Sequence, residues 1–155
     1  MKTKSFPSEW TLRRAIAFFA ALGIGVATYI AIADSGGGSP VCLAGSHGCA
    51  TVAKSSYSHL AGVNIAIFGI VGYVLLLASA FFVSDEARLG GFVVALGGFG
   101  YSVFLTYLEI FKIEAICQWC VSSAALMTII FLLSATRLIG YAGTGERVRP
   151  RERRA

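Results

Sequence analysis

The chain holds four cysteines in two local pairs, Cys42 with Cys49 and Cys117 with Cys120. The second pair, Cys117-Gln118-Trp119-Cys120, has the C-x-x-C spacing that suits reversible disulfide chemistry. At the start of a helix, backbone amides favour a thiolate on the first cysteine of such a motif. The thiolate is the nucleophile, so its pKa controls the exchange rate. The first pair brackets Leu43-Ala44-Gly45-Ser46-His47-Gly48 and follows Gly36-Gly37-Gly38, which predicts a flexible loop. Its disulfide could staple that loop, or it could meet a soluble partner and then swing toward the second pair. Zinc is the chemical competitor, with four thiolates or with His47 as a further ligand. The C-x6-C spacing is looser than the roughly 2–4 intervening residues of zinc knuckles, and an even count in two local pairs argues for paired redox chemistry.

The elements that must carry these residues are apolar. Hydrophobic residues make up 56% of the 155-residue chain and charged residues only 14%, against about a quarter charged in soluble domains. Four uncharged stretches stand out: Ala15 to Ala33, Leu60 to Val83, Leu89 to Leu108 and Ala115 to Thr136. Each holds roughly the 20 residues that a helix needs to cross the hydrocarbon core. Unpaired backbone groups are not tolerated in lipid, and none of the stretches alternates polar with apolar residues, so helices and not barrel strands are expected. The predicted fold is therefore all-α, an integral membrane four-helix bundle with an outer loop over residues 34–59. Lys2, Lys4, the first apolar run and Ala31-Ile32-Ala33 also resemble a cleavable signal, but the run is longer than a signal core of about 7–15 residues. Residues 1–14 read as a basic N-terminus, 15–140 as the membrane domain and 141–155 as a polar, disordered basic tail.

Charge sets the expected orientation. Eleven of the thirteen basic residues fall on the termini and on Arg88, the link between the second and third stretches; the other two are Lys54 and Lys112. Basic residues stay cytoplasmic in short loops. Both termini are thus expected in the cytoplasm of a multi-pass protein, and the Asp34–His59 and Glu109–Glu114 segments outside. The net charge of +5 follows from this bias and calls for no nucleic acid; the basic tail could also touch anionic lipid headgroups. All four cysteines then share the outer, oxidising face, where disulfides persist. Two pairs on one face make a relay a better reading than two isolated staples.

The run from Cys49 through Val52, Ser55 and Tyr57, then Leu60-Ala61-Gly62-Val63-Asn64-Ile65-Ala66 to Phe68-Gly69, resembles bacterial vitamin K epoxide reductase homologues. A wide pair in the first loop and a C-x-x-C opening the last span complete the pattern, over about residues 12 to 140. The other four-helix thiol–quinone family has its C-x-x-C in the first loop. The resemblance implies an oxidoreductase of the plasma (inner) membrane with a quinone acceptor, of ubiquinone or menaquinone (vitamin K) type. It implies that Cys42 exchanges with a secreted thioredoxin-like (DsbA-like) protein acting in trans, since no thioredoxin-like domain is fused here. Cys49 would pass electrons to Cys117, and Cys120 would reduce the quinone, supporting disulfide formation in secreted proteins. Ser55 matches a loop serine near the quinone. Asn64 replaces a frequent proline, and is read as a helix cap or a quinone contact. Ala124 stands where animal members have a quinone-contacting tyrosine.

The remaining polar residues suggest less. Trp119 suits the interface depth and is a candidate quinone contact. His47 and His59 read as polar loop residues. Glu109 and Lys112, three apart, read as a weak surface ion pair. Gly90, Gly91, Gly97, Gly98 and Gly100 predict close packing of the third helix. Tyr101, Phe104, Tyr107 and Phe111 could line a pocket or face lipid. The function that competes with the relay is a metal-binding or structural membrane protein using the four cysteines as ligands or staples.

Overall fold

The computed structural model describes residues 8–42 and 47–152, with side chains through Tyr141. The middle of the Cys42–Cys49 loop and the basic residues Lys2, Lys4, Arg153 and Arg154 lie outside the described residues. The helices are α1 (Glu9–Ser35), α2 (Gly48–Ala53), α3 (Ile65–Phe81), α4 (Asp85–Leu108) and α5 (Gln118–Glu152). A π-helical turn, Glu109–Ile113, extends α4. Among the described residues the regular structure is helical apart from one small antiparallel hairpin, β1 (His59–Leu60) and β2 (Val63–Asn64), with His59 opposite Asn64.

Helix α1 shows how the bundle forms. Leu12, Ile16, Ala20, Gly23 and Ala27 are its buried residues. Their spacing of three or four places them on one face of a 3.6-residue helix. That face packs on α3 and α5, and α4 packs on α5 and α3, so the four long helices form a ring. Tyr73, Leu76 and Ala80 of α3, Ala95 of α4, and Met127 and Ile130 of α5 complete the core. Small residues matter because lipid tails are as apolar as the helix faces, which leaves close packing to hold membrane helices together. A Cβ on Gly23 would fall 2.3 Å from the Tyr73 ring. Large apolar side chains such as Phe18, Leu22, Val71, Leu75 and Leu132 face outward. Among the described residues, three helical segments, Glu9–Ser35, Asp85–Ile113 and Gln118–Tyr141, are long and apolar enough to cross a membrane, while Ile65–Phe81 is apolar but shorter.

Several expected boundaries move. The second apolar stretch starts its helix at Ile65 rather than Leu60. Ala61 and Gly62 have φ of 53° and 82°, the left-handed pair that turns a tight hairpin. Asn64 then caps α3, its Oδ1 accepting the Ala66 N–H at 2.7 Å. Gly36, Gly37 and Gly38 were expected to loosen the outer loop. Instead they finish α1, their amides bonding back to Ile32, Asp34 and Ala33 carbonyls. The expected disordered tail is also corrected, since α5 continues through Glu152. The glycines after Arg137 lower helix propensity without removing amide donors, and the first proline, Pro150, comes only near the helix end.

At the end of the bundle opposite the cysteines, arginines join the helices. Arg13 donates to the Ala80 and Phe81 carbonyls at 2.6 and 2.8 Å, satisfying acceptors that the end of α3 leaves open. Glu9 pairs with Arg88 of α4 at 2.9 Å and Arg137 of α5 at 3.3 Å. Arg137 also donates to the Ser79 and Phe82 carbonyls.

Candidate redox site

The site is built where α5 begins. Cys117 immediately precedes Gln118, the first residue of the helix, and its carbonyl accepts the Val121 N–H. The Cys117 thiol pKa falls to about 7, chiefly because the Cys120 thiol hydrogen-bonds to it, aided by the Cys120 and Trp119 amides; burial and the nearby Glu109 charge oppose this. Cys117 and Cys120 are free thiols, the first buried and the second half-buried. Cys42 and Cys49 form a disulfide, with Cα atoms 5.9 Å apart. Joined in this way, they offer no thiolates to a metal.

The two pairs are brought together by α2. Gly48 packs so tightly on the segment before Cys117 that a Cβ there would fall 2.2 Å from the Ile116 carbonyl oxygen. Cys49, the next residue, is 1% exposed, while Cys42 at the other end of the disulfide is half-buried. A second contact holds the outer arm. Trp119 donates its ring N–H to the Val41 carbonyl at 2.9 Å, and the Tyr29 hydroxyl accepts the Val41 N–H at 3.1 Å. The Tyr29 and Trp119 rings lie 4.7 Å apart. The residue before Cys42 is thus gripped on both its backbone polar groups.

A cavity of about 440 Å³ opens between the helices at this end, with Cys49, Cys117 and Cys120 on its wall. Small-molecule sites run to about 300–1,000 Å³ with mostly apolar linings. Ile30, Phe68, Val94, Leu105 and Met127 supply apolar wall, which suits a small, mostly apolar ligand. Ser55 and Asn64 line it. Their polar groups have local partners: Ser55 Oγ donates to the Val52 carbonyl, and Asn64 Nδ2 donates to Asp34 at 2.7 Å. Ala124 lies on the wall, as does Tyr101; Phe104, Tyr107 and Phe111 face outward. Trp119 is not among the lining residues, and its ring clamps the loop instead.

Three lining residues were not singled out from sequence as pocket groups. Asp34 ends α1 and holds both Asn64 and His59, the latter at 3.2 Å. Tyr73 reaches across from α3 to Ser123, its hydroxyl 2.9 Å from both the carbonyl and Oγ. Glu109 is the clearest correction. It was expected at the surface with Lys112, yet it is 4% exposed. Its Oε2 accepts the Cys117 N–H at 3.0 Å, and its carboxyl also meets the Cys120 side chain. Helical spacing is the reason, because Gly91, Ala95 and Glu109 fall on the same buried face of α4, while the π turn that starts at Glu109 leaves Lys112 exposed. An ionisable residue eight positions before Cys117, at the end of an apolar run, was the available signal.

A helix bundle that sets a buried dithiol beside an oxidised cysteine pair is suited to moving electrons between sulfurs, and the protein is by class a membrane oxidoreductase of thiol–disulfide chemistry. The model of the vitamin K epoxide reductase family matches residues 14–135, and the chain belongs to that family. No curated protein matches it.

Proposed function

We propose that the protein is a thiol–disulfide:quinone oxidoreductase that reoxidises a secreted thioredoxin-like disulfide oxidase. The observation that carries this reading is the sharing of one apolar cavity by Cys49, Cys117 and Cys120, with the Cys42 end of the disulfide less buried. A partner thiolate attacks Cys42, and Cys49 leaves as a thiolate; the partner's second thiol then resolves the mixed disulfide, which leaves the partner oxidised and Cys42 a free thiol. Cys49 attacks the oxidised Cys117–Cys120 pair at Cys117, and the resulting mixed disulfide is resolved by Cys42, which re-forms Cys42–Cys49. Cys117 and Cys120 are left as the dithiol that reduces the quinone. This dithiol and the Cys42–Cys49 disulfide together are the pairing in the structure. Ser55, Asn64 and Ala124 shape the quinone end of the cavity.

In this reading α1, α3, α4 and α5 all span the plasma membrane. The hairpin and the polar cluster of Asp34, Asn64 and His59 bring the short α3 to full reach. The clustering of Arg13, Arg88 and Arg137 away from the cysteines supports cytoplasmic termini and an outward-facing site.

The test is stopped-flow reduction of a ubiquinone or menaquinone analogue by purified protein with a reduced thioredoxin-like partner. Wild type is expected to turn over, and Cys42→Ala, Cys49→Ala, Cys117→Ala and Cys120→Ala to fail with the partner. Cys42→Ala is expected to recover when a small dithiol replaces the partner. No quinone reduction by wild type, or full rates in the four variants, would sink the proposal.

A further inference from the structure

Oxidation of the Cys117/Cys120 dithiol forms one S–S bond, breaks two S–H bonds, and releases two electrons and two protons. A quinone consumes both electrons and both protons on becoming a quinol. Electrons can leave through sulfur, but protons need a carrier where the walls are mostly apolar. Among the described residues, the cavity wall holds Asp34, Glu109, Tyr57, Tyr73 and Tyr101 as titratable groups besides the cysteines. Asp34 is held at one side by Asn64 and His59, and the Tyr73 hydroxyl by Ser123. Tyrosines ionise near pH 10, too high to cycle a proton efficiently at neutral pH. Glu109 is the carboxylate that meets the Cys120 side chain. Its Oε2 is anchored by the Cys117 amide, which holds the carboxyl on the cavity wall that it shares with Cys117 and Cys120. A buried carboxylate on a π turn is a costly arrangement that recurs at functional sites.

We propose that the Glu109 carboxylate takes the Cys120 thiol proton as the Cys117–Cys120 disulfide forms and delivers it to an oxygen of the quinone in the cavity. This inference rests on the proposed quinone reductase activity. Glu109 returns to its carboxylate form within each turnover. The second proton comes from the Cys117 thiol, or from solvent when that thiol is already ionised. Both electrons pass to the quinone, so the step balances.

The competing role is structural, with Glu109 serving only to accept the Cys117 N–H. Glu109→Gln separates the two, because its amide oxygen keeps that acceptor while the side chain cannot carry a proton. Pre-reduced protein in detergent is mixed with a short-chain quinone and followed by stopped flow. Glu109→Gln is expected to lose a hundredfold or more in quinol formation, on the order of a general acid–base contribution. Reduction of its oxidised cysteines by a small dithiol should stay at the wild-type rate. Added formate should restore part of the quinone rate in Glu109→Gln and leave wild type unaffected. If Glu109→Gln does not fold, Glu109→Asp carries the test, with a reduced quinone rate, an unchanged dithiol rate and a larger solvent deuterium isotope effect expected. Wild-type quinone rates in the variant tested, or equal slowing of the quinone and dithiol steps, overturn the inference. A wild type that reduces no quinone overturns the proposed function and this inference with it.

Discussion

Cys117 is where residue chemistry and helix geometry meet. Its thiol sits at the start of α5, and hydrogen bonds from Cys120 and from backbone amides hold its pKa at about 7. An ordinary cysteine ionises near 8.5. The sign follows directly: hydrogen bonds to the thiolate favour the charged form, so reactivity persists to lower pH and is lost as pH falls through about 7. In a Cys42→Ser/Cys49→Ser protein, ultraviolet thiolate absorbance should therefore titrate with a first midpoint near 7. Adding Cys120→Ala removes the principal donor and should move that midpoint upward, whereas Cys120→Ser keeps a hydroxyl donor and should move it less. A midpoint that ignores position 120 would mean that the amides alone set it. The cysteines were legible in the sequence because C-x-x-C spacing and a helix start follow from residue type and hydropathy. Glu109 was misread because hydropathy marks it only as the charge that ends an apolar run, whereas its direction is set by the buried face of α4 on which it falls.

At the scale of elements, α2 works as a short arm that presses Cys49 toward the Cys117 segment. The close approach at Gly48 makes that placement possible. Gly48→Ala must push the arm off Ile116, because the obstructing atom is backbone and cannot rotate away. Electron transfer from Cys49 to Cys117 should slow at least tenfold, since misplacement by about 1 Å can cost a reaction a hundredfold. Quinone reduction from the pre-reduced Cys117/Cys120 pair should hold its rate. Equal rates in both steps would show that the arm's position does not matter. Trp119→Phe tests the other grip, leaving a ring against Tyr29 while losing the bond to Val41. One hydrogen bond is worth about 1 kcal/mol, so exchange should change by roughly fivefold, read by partner-dependent turnover. The glycines of α4 show what spacing left undecided. Gly91 and Gly98 do meet Ser79 and Met127, as close packing requires, whereas Gly97 has nothing within 4 Å and lines the cavity. A small residue serves a helix contact and an open pocket equally well, so sequence cannot separate them.

The whole molecule divides its work between two ends. Hydropathy made the long helices legible, and basic residues made one end distinguishable from the other. The hairpin at Ala61-Gly62 and the order of packing were not readable, because they depend on backbone turn geometry and on which faces meet. The end away from the cysteines acts as a clasp. Glu9 of α1 reaches Arg88 of α4 and Arg137 of α5, both of them buried. Removing one partner of a fully buried pair costs roughly 3–5 kcal/mol. Glu9 is itself 40% exposed, so solvent screens part of the loss, and Glu9→Gln should cost about 1–2 kcal/mol. Arg88 keeps Asp85 at 2.6 Å, and Arg137 keeps two carbonyls, which also limits the damage. The thermal midpoint in micelles should therefore drop by several degrees, and added salt should narrow the gap to wild type. Quinone reduction below that midpoint should be unchanged, because the full length of the bundle separates the clasp from the cavity. A loss of rate without a loss of stability would instead mean that motion at the arginine end is coupled to the redox end.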